Sequence, residues 1–403
     1  MTDGRTLQAS NLRRFGAAHG ARSLGWSVVD VLLVWHLHAK VGLTGAETGR
    51  VLFAFLALGG TVTFLVGLAF SRYRATGRTV VRVQLPAAIM AAVLLWVQFR
   101  VEDASAVIAA GVVFRIAYAV QDVAQNMLAS LLPADAADVR RYARLRVTLS
   151  AVTRCCVVAG FALTAATGMN VMLAVIALAM AASALSLRAL VFPPRPDVAP
   201  VSRWDGPVMP PGLPRLLLGW VIAATLLPTL NRLLVFAPAI EGWPRSGAWL
   251  LGGFCLGSVI GPMLRNTVDR SVLLAMVVAS GMLMVLPMPI AMNGAWDGTW
   301  RVAGALVHGI AVSVIGVNLW STTSRIAIAE AQRGRSSDGM VFGSVILTIH
   351  LASAAGMLVL GPLIEGFEAG RQGVGVAALS LTVVGALLLA GIGISGRTAP
   401  AAA

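Results

Sequence analysis

Twelve apolar runs, each about 20 residues long, constrain what this chain can become. They lie near 21–38, 48–70, 80–98, 104–131, 147–166 and 170–190, then 214–238, 245–264, 271–292, 299–322, 341–364 and 373–395. An α-helix rises about 1.5 Å per residue, so each run makes roughly 30 Å of helix, enough to cross a bilayer. With 58% hydrophobic and only 12% charged residues, the 403-residue chain does not read as a soluble domain. Its 42 glycines suit helices that pack closely in lipid. Between the sixth and seventh runs lies VFPPRPDVAPVSRWDGPVMPPGLP, whose prolines rule out a span and indicate an extended linker. The expected fold is an all-α membrane protein of 12 transmembrane helices in two six-helix bundles, residues 1–190 and 214–403, joined by a cytoplasmic linker at 191–213.

The formal net charge is +14, which in a soluble protein would suggest a nucleic-acid partner. Here the placement of the charge gives a simpler cause. With the N-terminus in the cytoplasm, 21 of the 31 Lys and Arg residues fall on inner segments, 6 on outer segments, and the other four (Arg22, Arg115, Arg154 and Arg232) within runs. That bias follows the positive-inside rule. It places both termini in the cytoplasm, and no nucleic acid is needed to explain it. The N-terminal stretch MTDGRTLQASNLRRFG has no cleavable signal pattern. Cys155, Cys156 and Cys255 lie in apolar runs and read as small buried hydrophobes, with neither a disulfide framework nor a metal-binding spacing. Arginine-rich, lysine-poor usage points to a GC-rich bacterial genome, hence a bacterial inner membrane.

Polar residues inside the runs mark the candidate site. In the fourth run Arg115, Tyr118, Asp122 and Asn126 are spaced i, i+3, i+7, i+11 and share one helical stripe. In the first, Ser23, Trp26 or Ser27, and Asp30 do the same, and at the start of the fifth Arg146, Ser150 and Arg154 follow. The expectation is that the three stripes face a common cavity. Each charged side chain at mid-bilayer costs roughly 2.5–3.5 kcal/mol, so Asp30 and Asp122 are expected to balance Arg115 and Arg154, with Arg115 and Asp122 as a charge pair. Arg154 has a second reading, snorkelling to the inner surface about 12 Å away. His350 is a lone histidine on an apolar helix: either a hydrogen-bonded neutral side chain or, with a carboxylate neighbour, a proton relay. Pro228, Asn231 and Arg232 interrupt the seventh run, as in transporters whose broken helices line a site. Trp26, Trp220 and Trp320 are candidates for stacking on a ligand or for packing.

Three stretches, KVGLTGAETGRVLFAF, QDVAQNMLASLLPADAADVRRYARLR and GRSSDGMVFGSVILTIHLASAAGMLVLGPLIE, resemble the glycoside–pentoside–hexuronide:cation symporters, a melibiose carrier-like family of the major facilitator superfamily. A fourth, VGLAFSRYRATGR, is similar to the superfamily's loop between helices two and three, with Ser71 where that loop carries an Asp. The resemblance implies the major facilitator fold. It puts Asp122 and Arg146 on substrate- and cation-binding positions, His350 on a position usually held by Lys, and Ser23 on an acidic one. The family's two acidic residues of helix two fall on Gly59 and Thr63, and an aromatic used to stack on sugar falls on Asn126. The acidic residue after helix ten falls on Ser324, while Glu330 and Gly334 keep the loop pattern.

No P-loop, HExxH or nucleophile elbow is present, which disfavours an ATP-driven pump and gives no sign of an enzyme. The expected function is secondary active transport of a small polar or amphipathic solute by alternating access. Substrate contacts are expected from Ser23, Trp26, Asp122, Asn126, Arg146 and Arg154, and proton coupling from Asp30, Asp122 and His350. No cofactor is expected beyond the coupling proton, and sodium is disfavoured by Gly59 and Thr63. A monomer is expected. The alternatives are a transporter of lipid-like or drug-like amphiphiles, and a non-transporting membrane assembly or pigment-delivery factor on the same fold.

Overall fold

The computed structural model describes residues 4–164, 169–193, 209–225, 246–264 and 295–368, apart from residues 334 and 336. Its helices are α1 (Gly4–Trp35), α2 (Gly45–Arg72), α3 (Gly77–Gln98), α4 (Ala104–Leu131), α5 (Ala136–Thr164), α6 (Asn170–Ser186), α7 (Leu213–Thr225), α8 (Ser246–Ile260), α9 (Ala295–Gln332) and α10 (Asp338–Glu368). No strand occurs among the described residues. Helices α2, α3, α4, α6, α9 and α10 are long and apolar enough to cross a membrane, so the chain is a multi-pass membrane protein. The runs at 271–292 and 373–395, most of the linker, and the interruption at Pro228, Asn231 and Arg232 lie outside the described residues.

Several helices outrun their apolar stretches. Helix α1 begins at Gly4 rather than near 21, and α5 at Ala136 rather than near 147. Hydropathy reads the oil-facing part of a helix, whereas backbone hydrogen bonding carries the helix on into polar surroundings. These extensions hold Arg5, Arg13 and Arg14 on α1 and Arg140, Arg141 and Arg144 on α5. They are held in place by polar contacts: the Gln8 amide donates to Asp138, and the Asn11 amide donates to the Val191 carbonyl at 2.6 Å.

Helix starts follow capping chemistry. Thr44 and Glu47 form a reciprocal capping box at α2: the Glu47 amide donates to Thr44 Oγ1 (3.2 Å) and the Thr44 amide to Glu47 Oε2 (2.9 Å). Asp103 caps α4 by accepting the Ala106 amide at 2.9 Å. Backbone and hydroxyl donors from Ser105 and Ala106 hold the Asp103 carboxyl below its usual range. Helix α2 closes through Arg74 in the left-handed region (φ 49°), which lets the Ala75 amide reach the Phe70 carbonyl at 2.9 Å.

Two helix pairs approach closely at glycine. Along α2 and α10, a Cβ on Gly67 would run into the Gly339 carbonyl, and one on Gly60 would meet His350 Cβ at 2.8 Å. Along α8 and α9, Gly257 lies against the Leu306 carbonyl. In lipid there is no hydrophobic drive between helices, so such backbone approach and its dispersion contacts supply the cohesion. The α2–α10 seam joins the first half of the chain to the second. At its loop end Ser71 Oγ accepts the Met340 amide at 2.8 Å, satisfying an orphan donor of α10's first turn. Ser130 of α4 donates to Asp338 Oδ2 at 3.1 Å beside it.

The buried apolar side chains fall into two clusters at different depths. One holds Leu32, Leu33 and Leu37 of α1, Phe55 of α2, Phe114 of α4 and Phe254 of α8. The other holds Phe15 of α1, Phe70 of α2, Leu128 of α4 with Leu132 at its C-terminal cap, and Phe342 of α10. On α1 the stretch between the clusters is Arg22–Ser27, on α4 it contains Asp122, and on α10 it contains His350. The polar residues of three helices thus lie at one intermediate level.

Candidate functional site

At that level lies a cavity of about 140 Å³. Helix α1 lines it with Arg22, Ser23, Trp26 and Ser27, α4 with Tyr118 and Asp122, and α5 with Arg146, Ser150 and Arg154. From the other half come Trp320 of α9 and Ile346, Ile349 and His350 of α10. The i, i+4 spacings within each set place the side chains on one helical face.

Asp122 forms an ion pair with Arg22, and both are almost wholly buried. The expected pairing of Asp122 with Arg115 does not form. Seven residues along one helix are about 10 Å of axial rise, whereas Arg22 reaches Asp122 directly from the adjacent helix. Asn126 Nδ2 donates to Asp122 Oδ1 at 3.1 Å, so Asn126 supports the carboxylate from one turn away and does not line the cavity. Arg22 Nη2 donates to His19 Nδ1 at 3.2 Å. Because a guanidinium only donates, His19 must accept at Nδ1; its Nε2–H then donates to Ser150 Oγ at 3.3 Å, which describes a neutral imidazole. The chain His19–Arg22–Asp122–Asn126 thus runs across α1 and α4 and is tied to α5 through Ser150.

The other basic groups are held differently. Arg154 Nη2 lies 3.5 Å from Asp30 Oδ2, so Arg154 turns into the bundle rather than to the inner surface, and Asp30 serves as its counter-ion beside the cavity. The Arg146 guanidinium lies on the Trp320 ring, 3.2 Å from its centroid, an arrangement favoured by the ring quadrupole. Arg115 lies behind Trp26, among the rings of Trp26 (5.1 Å), Phe55 (5.8 Å) and Phe114 (5.8 Å). Among the described residues no carboxylate stands within ion-pair distance of Arg146 or Arg115. The charges do not balance as expected from the sequence: four guanidiniums face two carboxylates.

His350 stacks on Trp26 with ring centroids 5.3 Å apart and planes 8° apart. Its Nδ1 has no hydrogen-bond partner among the described residues, and no carboxylate touches it. Opposite is Gly59: a Cβ there would be 3.6 Å from His350 Nδ1 and 3.8 Å from Arg115 Cδ. The Thr63 hydroxyl donates to the Gly59 carbonyl of its own helix at 2.7 Å. Neither residue carries an anionic side chain.

Of the residues expected from the sequence, Ser23, Trp26, Asp122, Arg146, Arg154 and His350 line one cavity, while Asp30, Asn126 and Arg115 stand behind it. Sequence reasoning missed His19 and gave Arg22 no role. Extending the α1 stripe one turn back, from Ser23 to His19 at i−4, would have found the first.

No family model matches the chain, and no curated protein matches it. Solved structures do. The human organic anion transporter MFSD10 superposes with a TM-score of 0.66 at 15% identity, covering 95% of this chain and 99% of that one. The nucleoside transporter NupG gives 0.64 at 13%, covering 94% and 99%. The E. coli fucose:proton symporter FucP gives 0.61 at 11%, covering 94% and 98%. The chain therefore has the 12-helix fold of the major facilitator transporters. These likenesses do not extend to the narrower melibiose carrier-like resemblance.

Proposed function

We propose that the chain is a proton-coupled secondary active transporter, without enzymatic activity, that moves a small polar or amphipathic solute by alternating access. Its setting would be a bacterial inner membrane, with both termini cytoplasmic and the protein working as a monomer. The observation that carries this reading is the buried Arg22–Asp122 ion pair on the wall of a mid-depth cavity between the two halves. Charge at that depth is costly, and two apolar residues would avoid the cost altogether.

The geometry supports the following coupling step. A proton on Asp122 removes its charge and releases the Arg22 guanidinium to the cavity, where the solute takes it. Return of the proton to water on the other side restores the pair and displaces the solute. The groups around Asp122 are Arg22 and His19 on α1, Tyr118 and Asn126 on α4, Arg146 and Arg154 on α5, and His350 on α10. Asp122 is the best placed of the proton candidates, since Asp30 is engaged with Arg154 and, among the described residues, no carboxylate pairs with His350.

Asp122→Asn is expected to abolish accumulation driven by a pH gradient in proteoliposomes, while solute exchange across the same membranes persists. A variant that still accumulates solute against a gradient removes Asp122 from the coupling step. The apolar wall of Trp320, Ile346 and Ile349 favours amphipathic over purely hydrophilic solutes.

A further inference from the structure

Two features of the cavity are unused by the coupling step. The first is its excess of positive charge. Beyond Asp30 and Asp122, none of the twelve apolar runs contains an Asp or Glu, so the sequence offers no further carboxylate at this depth. Arg154 has Asp30, and Arg22 has Asp122. Arg146 is only 6% exposed, lines the cavity, and is supported by the face of Trp320, with no carboxylate paired to it among the described residues. An aromatic face orients a guanidinium and leaves the donors in its own plane free to take an anion from the cavity. The second feature is aromatic surface. Trp26, stacked with His350, and Tyr118 line the same space as Trp320, with Ile346 and Ile349 alongside.

We propose that the transported solute is an organic anion: an oxyanion head of carboxylate, phosphate or sulfonate type on a flat apolar body. The head binds Arg146 and competes with Asp122 for Arg22, and the body lies against Trp26 and Trp320. The proposal rests on the transport reading for the word solute; the preference for an anion rests on the residues of the cavity alone. Two oxygens of such a head match the guanidinium fork and are held by charge-assisted bonds. It also supplies the compensating charge that the cavity lacks. A cationic solute would meet the guanidiniums of Arg22, Arg146 and Arg154, and a neutral one would supply no charge to Arg146.

The test uses matched probes on purified full-length protein in nanodiscs, with binding read by tryptophan fluorescence and calorimetry. The probes are naphthalene-2-sulfonate, 2-naphthylacetate and 2-naphthyl phosphate, each against a neutral counterpart (naphthalene-2-sulfonamide, 2-naphthylacetamide and 2-naphthol) and against 2-naphthylmethylamine. At least one anion is expected to bind about tenfold or more tightly than its neutral partner, with the amine weakest. The choice among the three heads names the oxyanion. Arg146→Gln should remove most of that preference, and Arg146→Lys should keep part of it. A purely structural role for Arg146 would weaken anion and neutral probes alike and leave their ratio unchanged. Equal binding of anion and neutral partners, preference for the amine, or no anion-selective binding in the whole set overturns the proposal. Flux separates the two readings. Anion-selective binding without movement in proteoliposomes contradicts transport and leaves the anion site standing; movement of neutral or cationic solutes without anion selectivity does the reverse.

Discussion

The two halves of the chain contribute unequally to the cavity they share. Helices α1, α4 and α5 bring all of its charge: Arg22, Asp122, Arg146 and Arg154, with the hydroxyls of Ser23, Ser27 and Ser150. Helices α9 and α10 bring Trp320, Ile346, Ile349 and one imidazole. The difference has a counterpart in composition. Helices α1 and α5, which hold most of the charge, are absent from the helices apolar enough to span, whereas α9 and α10 qualify. One half holds ions in a fixed hydrogen-bonded frame. The other is a mostly apolar surface joined to it along the α2–α10 glycine seam, suited to moving against it without breaking ion pairs. On this account chemistry lies in the first half, and gating lies in the contact between the halves.

That division can be broken in three ways, taken from the largest expected effect downward. Cys155 on α5 and Cys255 on α8 lie near one another where the two halves pack together. Bridging them with mercuric ion should stop uptake in proteoliposomes, dithiothreitol should restore it, and Cys255→Ala should be immune. Unimpaired transport by the bridged protein would mean that α5 and α8 do not part during the cycle. Next, Arg22→Gln leaves Asp122 buried with Asn126 as its remaining partner, and breaking such a pair typically costs about 3–5 kcal/mol. Thermal unfolding in detergent should register that loss, and the double variant with Asp122→Asn should recover much of it; additive losses would show that the pair is not coupled. Last, Gly67→Leu should overpack the α2–α10 seam against Gly339, at a cost of about 1–3 kcal/mol. Uptake should slow while the affinity for solute stays unchanged, since Gly67 does not line the cavity. A changed affinity with an unchanged rate would place binding, rather than gating, at the seam.

How much of this was legible in the sequence depends on which distances periodicity reports. Helix existence and the polar stripes came from apolar runs and from i, i+4 spacing, which are properties of one helix at a time. Nine of the residues named on those stripes or by resemblance line one cavity for that reason. The partner of Asp122 is a property of two helices. It depends on how α1 is rotated and shifted against α4, and no spacing within either helix encodes that. Arg115 shares a stripe with Asp122, yet stands two turns away and is held by aromatic rings, whereas Arg22 lies on another helix at the same depth. Helix ends were misjudged for a different reason. Hydropathy stops where the oil stops, while α1 and α5 continue as basic helices held by Gln8, Asn11 and Asp138.

The central claim is that the ionisable groups at mid-depth face water that reaches them alternately from the two sides of the membrane. Ser23 lines the cavity next to Arg22, so a single cysteine at that position, in a variant with Cys155, Cys156 and Cys255 replaced by serine, reports on access. Val28, fully buried in the apolar cluster, serves as the dry control. A membrane-impermeant thiol reagent should label Ser23→Cys from the outer face of intact cells and from the inner face of inverted vesicles, and should not label Val28→Cys from either. Failure to label Ser23→Cys from both faces, with the protein folded and inserted, would contradict the account.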